Sequence, residues 1–428
     1  MPKESKKKKA AQIQRVKGMH DILPDDQWLW DQVRSATKKI AEYYNFVRLD
    51  TPVLEQASLF ERTVGEATDI VEKQMFIVQT KGKERLVMRP EWTAGAARAY
   101  IENSLSQRGF PVKLYTDLSL FRYEQPQEGR FREFHQLDLE IISSENDPIY
   151  DVQIMLVLTR IIESLKIKGF SISVNSIGCK SCRPPYKKEL QNYYKGVKSQ
   201  LCADCARRLE ANPLRLLDCK EEKCVELKKN APIIIDHLCN TCHNHFKQVL
   251  EYLDEVQLPY ALDHHLVRGL DYYTKTVFEI NCEGVDFAIA GGGRYDYLIE
   301  LLGGKNTPAV GAAAGIERLI KVMKMQNPEK KPKEKQKIFL VHIGELAKKK
   351  SLSLIEELRK ANIEITESLG KESLKAQLRV ADKEGCPYAL IFGQREAFED
   401  NIILRDLKTG TQETVMLRKL AETLKKRS

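Results

Sequence analysis

A chain of 428 residues, 42% hydrophobic and 30% charged, is too long for one ordinary core and has the composition of a globular protein with two or three domains. No run of about 18 apolar residues occurs, which excludes a transmembrane helix. The lysine-rich start, Met1 to Ala10, has no apolar stretch behind it and is not a secretory signal, so the ten cysteines read first as thiols or metal ligands.

The net charge of +9 is concentrated in two places. Residues 1–10 hold five Lys against one Glu, residues 321–337 hold seven Lys against two Glu, and the rest of the chain is formally neutral. Such clusters either hold phosphates without reading sequence or simply solvate a tail and a linker.

In chain order, Ser35 to Tyr44 reads as a helix. Leu114 to Glu124 and Phe134 to Ile142 read as strands joined by the polar loop QPQEGRFRE, an antiparallel hairpin with a long basic connection. Residues 176–262 are helical in pattern and cysteine-rich, and they interrupt two strand-rich stretches as an insertion. Ile289 to Gly304 reads as strand, glycine turn, helix and glycine stop, and Val310 to Lys324 as strand, turn and helix. Asn327 to Lys337 reads as a linker. Beyond it come a buried strand (Lys337 to Gly344), an amphipathic helix (Ser351 to Ile363), a short strand (Ile365 to Leu369), a helix (Leu374 to Ala381) and an apolar strand (Tyr388 to Gly393). That alternation indicates a small α/β domain with a mixed or parallel sheet.

Period two places Arg122 and Glu124 on one face of the first hairpin strand, and Phe134, Gln136, Asp138 and Glu140 on one face of the second. The loop adds Arg130 and Arg132. Such a face is either the floor of a polar ligand site or an ordinary solvated set of ion pairs. In LVRGLDYY, Arg268 stands close to Tyr272 and Tyr273, which suits a small polar or aromatic ligand or a packed surface turn. The glycines of AGGGRYD permit close backbone approach at a helix start, or form a turn. Arg318 of GIERL falls in a first helical turn. Cys179 and Cys182, Cys202 and Cys205, Cys219 and Cys224, and Cys239 and Cys242 are four pairs at chelating spacing, enough for two tetrahedral all-thiolate zinc sites. His243 and His245 are spare ligands.

Taken together, KGMHDILP, TPVLE, RPEWTAGAARAY, FRYEQPQEGRFREFHQLDLE, LVRGLDYY, AGGGRYD and VGAAAGIERL resemble the histidyl-tRNA synthetase family of class II aminoacyl-tRNA synthetases, over essentially the whole chain after the tail. Thr51 to Glu55 resembles class motif 1, a dimer-interface element; the hairpin resembles motif 2, and GIERL motif 3. The resemblance implies an α+β fold: an antiparallel-sheet catalytic domain over residues 11–325 with a helical insertion at 176–262, a linker at 326–337 and an anticodon-binding α/β domain at 338–428, behind a basic tail at 1–10. It implies activation of L-histidine with ATP and Mg2+ to histidyl-adenylate and pyrophosphate, then transfer to the 3′ end of tRNA(His), by a cytoplasmic homodimer with no membrane partner.

Carried over residue by residue, Arg122 and Arg268 would act on the α-phosphate, with Arg268 also meeting the histidine carboxylate. Arg318 would hold the β- and γ-phosphates, Phe134 would stack under adenine, and Glu124 and Arg130 would complete the ATP site. Glu91, Thr93 and Gln136 would hold the α-ammonium, Glu140 the imidazole, and Tyr272 and Tyr273 would close the pocket. Family members with the insertion but without these cysteines imply that zinc is optional to the reaction. A non-catalytic histidine-sensing regulatory relative, on the same fold, would lack the C-terminal domain and the phosphate-binding arginines, which are present here. A zinc-dependent nucleic-acid-binding protein without activity would leave the hairpin and the Arg268 segment unexplained.

Overall fold

The computed structural model describes residues 12–65, 68, 70–328, 337–371 and 373–427. The basic tail expected at 1–10, and most of the linker expected at 326–337, lie outside the described residues. The chain divides into two compact units, residues 1–329 and 330–428.

The first unit is built on an eight-stranded sheet in the order Val47–Arg48, Val112–Phe121, Glu133–Ile142, Ala309–Gly315, Ala290–Arg294, Thr274–Cys282, Phe170–Ser176 and Tyr260–Leu262. The six inner strands pair antiparallel, and each short edge strand pairs parallel with its neighbour. Strand parity sorts the side chains. Leu137, Leu139 and Ile141 enter the main core with Val310, Ala312 and Ala314 of the adjacent strand. On that side lie the helices Pro24–Tyr43, Ile149–Ser164, Asn240–Glu255 and Ile316–Gln326. The even-numbered residues from Phe134 to Glu140 therefore face the opposite way, toward the helix Thr93–Glu102 and the segment around Arg268.

Several boundaries differ from the expectation; the helix expected at Ser351 to Ile363 spans Glu345–Lys360. The first helix begins at Pro24 rather than Ser35, since proline in the first turn followed by Asp25 and Asp26 is a strong helix start. AGGGR is an inner strand, not a turn opening a helix, because Thr274–Cys282 and Ala309–Gly315 bind its backbone on both sides. Its glycines are required by proximity: a Cβ on Gly292 would lie 2.1 Å from the Gly311 carbonyl oxygen. Arg294 and Asp296 are buried in an ionic network with Asp151 and Lys275.

Residues 176–262 form two parts. The helices Arg183–Gly196, Ala203–Ala211 and Glu222–Lys228 enclose a separate small core that includes Tyr186, Leu190, Tyr194, Leu209 and Leu216. Asn240–Glu255 instead packs Phe246, Val249 and Leu253 into the main core, and Tyr260–Leu262 joins the main sheet.

The second unit has a five-stranded mixed sheet in the order Ile365–Glu367, Ile338–His342, Tyr388–Phe392, Asn401–Asp406 and Gln412–Met416. The first three strands run parallel; the last two form an antiparallel hairpin. Helices cover the sheet, with Glu345–Lys360 and Leu417–Lys425 contributing Leu354, Leu358, Leu420 and Leu424 to its core. The architecture is the expected α+β arrangement, followed in the chain by a small α/β unit. Among the described residues, no helix is long and apolar enough to cross a membrane.

Candidate functional site

On the polar face of the large sheet lies a cavity of about 350 Å³, a size suited to a small-molecule ligand. Glu91, Thr93, Arg122, Glu124, Arg130, Phe134, Gln136, Arg268, Tyr272, Tyr273 and Arg318 all line it. Glu140 does not. It is buried one layer below the wall, accepting a hydrogen bond from Thr93 Oγ1 at 2.6 Å and another from the Tyr295 hydroxyl. The neighbouring strand makes room for it, since a Cβ on Gly311 would fall 1.7 Å from Glu140 Oε2.

One end of the site is acidic. Glu91, Asp138 and Glu140 are buried close enough to repel one another. Burial pushes the Glu91 carboxyl up to about 7, against the Ala94 N–H at 2.9 Å and the nearby Arg122 charge, which favour its ionised form. Glu140 is pushed up to about 8, by burial first and by Glu91 as well, despite its two hydroxyl donors. Asp138 is raised well above the carboxylate range by burial, Glu140 and Glu91, and its Oδ2 has no hydrogen-bond partner. Buried carboxyls held in this state are poised to ionise when a cation arrives.

The other end is basic. Burial and the charges of Arg130 and Arg122 all push the Arg318 guanidinium down. Arg318 is aimed by carbonyl acceptors, Gly129 at 3.1 Å and Ala288 at 2.7 Å, and Arg122 by Pro90 at 2.9 Å. Arg122 also lies 5.1 Å from the Phe134 ring centroid, at the foot of the same wall. Three guanidiniums with Glu124 as the near carboxylate, 3.6 Å from Arg130, form a site for a polyanion.

Arg268 enters from the segment between these ends, ion-paired with Glu279, while its Nε is buried without a partner. That segment is held by residues from the insertion. Asp271 accepts from Arg215 Nη2 at 2.7 Å and from Asn212 Nδ2 at 3.2 Å. Arg215 and Asp218 themselves line the cavity. Neither was singled out in the sequence, where they stand over 50 residues before Asp271 with no local signal. Tyr295 and Asp138 lay within the motifs but carried no assigned role; only packing shows that Tyr295 meets Glu140.

The eight cysteines of the insertion gather into two clusters, Cys179, Cys182, Cys239 and Cys242, and Cys202, Cys205, Cys219 and Cys224. Within each, one ligand atom per residue lies within 4.8 Å of the others. Sulfur pairs stand at 3.7 Å (Cys179 and Cys182), 3.9 Å (Cys179 and Cys239) and 3.8 Å (Cys202 and Cys219), near the edge of about 3.8 Å that a tetrahedron with Zn–S of about 2.3 Å requires. Backbone N–H groups of Ser181, Cys239, Cys202 and Cys205 point at sulfurs, a donor set that steadies thiolates. His245 is turned away from the sulfurs, with its Nε2 3.5 Å from Asp151.

Comparison with known proteins shows the family to which the chain belongs. The family model described as histidyl-tRNA synthetase matches residues 18–181 and 194–319, and that described as anticodon binding domain matches 337–427. A histidine--tRNA ligase of Dehalococcoides mccartyi is 45% identical over 415 residues, covering 96% of this chain and 99% of the relative. One of Desulfitobacterium hafniense is 42% identical over 417 residues, covering 97% and 98%. The crystal structure of apo histidyl-tRNA synthetase from S. aureus superposes with a TM-score of 0.78 at 30% identity, covering 96% of this chain and 99% of that one.

Proposed function

Because the chain belongs to the histidyl-tRNA synthetase family and carries the activity of a histidine–tRNA ligase, we propose that its cavity binds histidine at the carboxyl end and ATP at the arginine end. The observation that carries this assignment is their continuity in one cavity, with Arg122 acting electrostatically on both Arg318 and Glu91. In the reaction a histidine carboxylate oxygen attacks the ATP α-phosphorus. The bond to the β-phosphate breaks, pyrophosphate leaves and the adenylate forms. A terminal ribose hydroxyl of tRNA then attacks the acyl carbon and AMP departs.

In this reading Glu91, with Thr93 and Gln136, binds the α-ammonium. Glu140 acts on the imidazole from behind Thr93 and Tyr295, while Tyr272 and Tyr273 close the walls. Arg268 spans the carboxylate and the α-phosphate, Arg122 the α-phosphate, and Arg318 the β- and γ-phosphates. Phe134 stacks under adenine beside Glu124 and Arg130. ATP enters as its magnesium complex, whose metal neutralises phosphate charge, and Glu124 is the wall carboxylate suited to it. Residues 338–428 bind the anticodon, and the reading carries a cytoplasmic homodimer with it. The exposure of Val53 and Leu54 in the motif 1 segment supports the dimer. Structural Zn2+ in both four-cysteine clusters belongs to the same reading, supported by their sulfur spacing.

The test is histidine-dependent exchange of pyrophosphate into ATP. Arg268→Ala should slow adenylation of bound histidine more than it weakens histidine binding. A folded wild-type protein without exchange refutes the assignment, as does an Arg268→Ala protein that loses histidine affinity at an unchanged activation rate.

A further inference from the structure

We propose that a metal ion on Cys202, Cys205, Cys219 and Cys224 sets the position of Arg215, and through Arg215 the histidine- and phosphate-binding segment Arg268 to Tyr273. The proposal rests on the reading that this cluster binds Zn2+, and it goes further by giving that ion a task in the catalytic pocket. Arg215 is a positioning residue here.

The chain path makes the link short. Cys202 and Cys205 stand at the start of the helix Ala203–Ala211, and Cys219 and Cys224 follow the turn Pro213–Leu216. A metal on those four sulfurs therefore ties together both ends of the stretch that carries Asn212, Arg215 and Asp218. With its ends fixed, the turn has little freedom left to swing. Asp218, directly beside the ligand Cys219, and Arg215 both reach the cavity wall.

The far end of the link is equally defined. Arg215, only 12% exposed, donates to Asp271 Oδ1 at 2.7 Å, and Asn212 donates to the same oxygen at 3.2 Å. Asp271 adjoins Tyr272 and Tyr273 and lies three residues from Arg268. Val267, on the other flank of Arg268, packs against the insertion's own core. The insertion thus grips the Arg268 segment through Arg215 and Asn212 on Asp271, through the Arg183 guanidinium on the Tyr273 carbonyl, and through the apolar contact of Val267. Loosening the turn at Arg215 releases the contacts on Asp271.

The experiment uses the full chain. Zinc is counted by mass spectrometry in wild type and in Cys224→Ser, with two ions expected per wild-type chain and one in the variant. Pyrophosphate exchange is then measured for Cys224→Ser, Arg215→Ala and the double variant. Each single change should raise the histidine KM about tenfold. The double variant should be no worse than either, because both break one link. Arg215→Lys should recover part of the loss, and Cys224→His, which keeps four ligands, should keep the wild-type KM. Trypsin cleavage at Arg207 and Arg208 should rise when zinc is lost, whether or not exchange is detected. Wild type stripped by chelator gives the same comparison if Cys224→Ser does not fold.

A wild-type chain without zinc overturns the metal reading itself. A Cys224→Ser chain that has lost its zinc and keeps its histidine KM overturns the positioning proposal while leaving the metal in place. Effects that multiply in the double variant overturn it in the same way.

Discussion

Replacing Glu91 by Gln separates what this carboxyl costs the empty fold from what it contributes to binding. Its pKa stands at about 7 in the fold against an ordinary 4.5. Since the folded-state value is the raised one, the stabilising contribution is complete below pH 4.5 and is lost as pH rises through 7. At about 1.36 kcal/mol per pH unit, the loss accumulated between pH 4.5 and 7 comes to about 3 kcal/mol and does not grow further above it. Gln keeps the acceptor for the Ala94 N–H and has no charge to desolvate. The unliganded variant should therefore match wild type near pH 4.5 and become progressively harder to unfold than wild type up to pH 7. Asp138 and Glu140, both pushed up in part by the Glu91 charge, should titrate lower in the variant, which widens the gap in the same direction.

Binding should move the other way. Histidine's ammonium requires the ionised carboxylate, so wild-type affinity should fall about tenfold for each pH unit below 7. Glu91→Gln should lose about 3 kcal/mol of binding, a factor of about 100 or more in kcat/KM, and this part of the pH dependence. Thermal unfolding of the two unliganded proteins from pH 5 to 9, with exchange kinetics over the same range, reads both effects. A stability gap that stays constant with pH, or a variant that binds histidine normally, would falsify the reasoning.

Gly311→Ala should prevent the native sheet from closing over Glu140, because its Cβ would sit 1.7 Å from Oε2; soluble yield and cooperative unfolding read this, and a native-like variant would contradict it. Tyr295→Phe removes one of the two hydroxyl donors to Glu140 and should cost about 1–3 kcal/mol, seen as a lower histidine kcat/KM and a Glu140 titration moved further up. Arg318→Ala should raise the KM for ATP about tenfold or more while leaving the histidine KM within about twofold, and equal effects on both would show that Arg318 does not face the distal phosphates. Chelation should release zinc from the insertion and lower its unfolding temperature in the range where the main sheet is still folded; an unchanged melting profile would argue against structural metal.

Much of the architecture could be read along the chain, because strand parity and helix periodicity are local. The hairpin's even-numbered residues do share a face. Parity sets a side, however, and not a depth, so it could not show that Glu140 sits behind the wall while Asp138 lines it. AGGGR looked like a turn because glycine permits one; pairing with strands on both sides decided otherwise. The C-terminal hairpin Asn401–Asp406 and Gln412–Met416 was not singled out: its second strand is largely exposed and lacks an apolar run. The reach of Arg215 and Asp218 to the cavity depends on how an insertion folds back, and no spacing in the sequence encodes that.

The Cys179, Cys182, Cys239 and Cys242 cluster also has a topological meaning. It stands where the chain leaves the large sheet and where it returns, and the Cys239 amide reaches the Cys182 sulfur at 3.2 Å. The stretch between is therefore a module with a pinched neck: it can be shortened, lengthened or replaced without moving the points at which it is attached. Since Asn240–Glu255 lies beyond the neck and belongs to the main core, such an exchange leaves the sheet's own helical cover intact. The exchange is not free of the chemistry beneath, because Asn212 and Arg215 of the same module hold Asp271 beside the pocket.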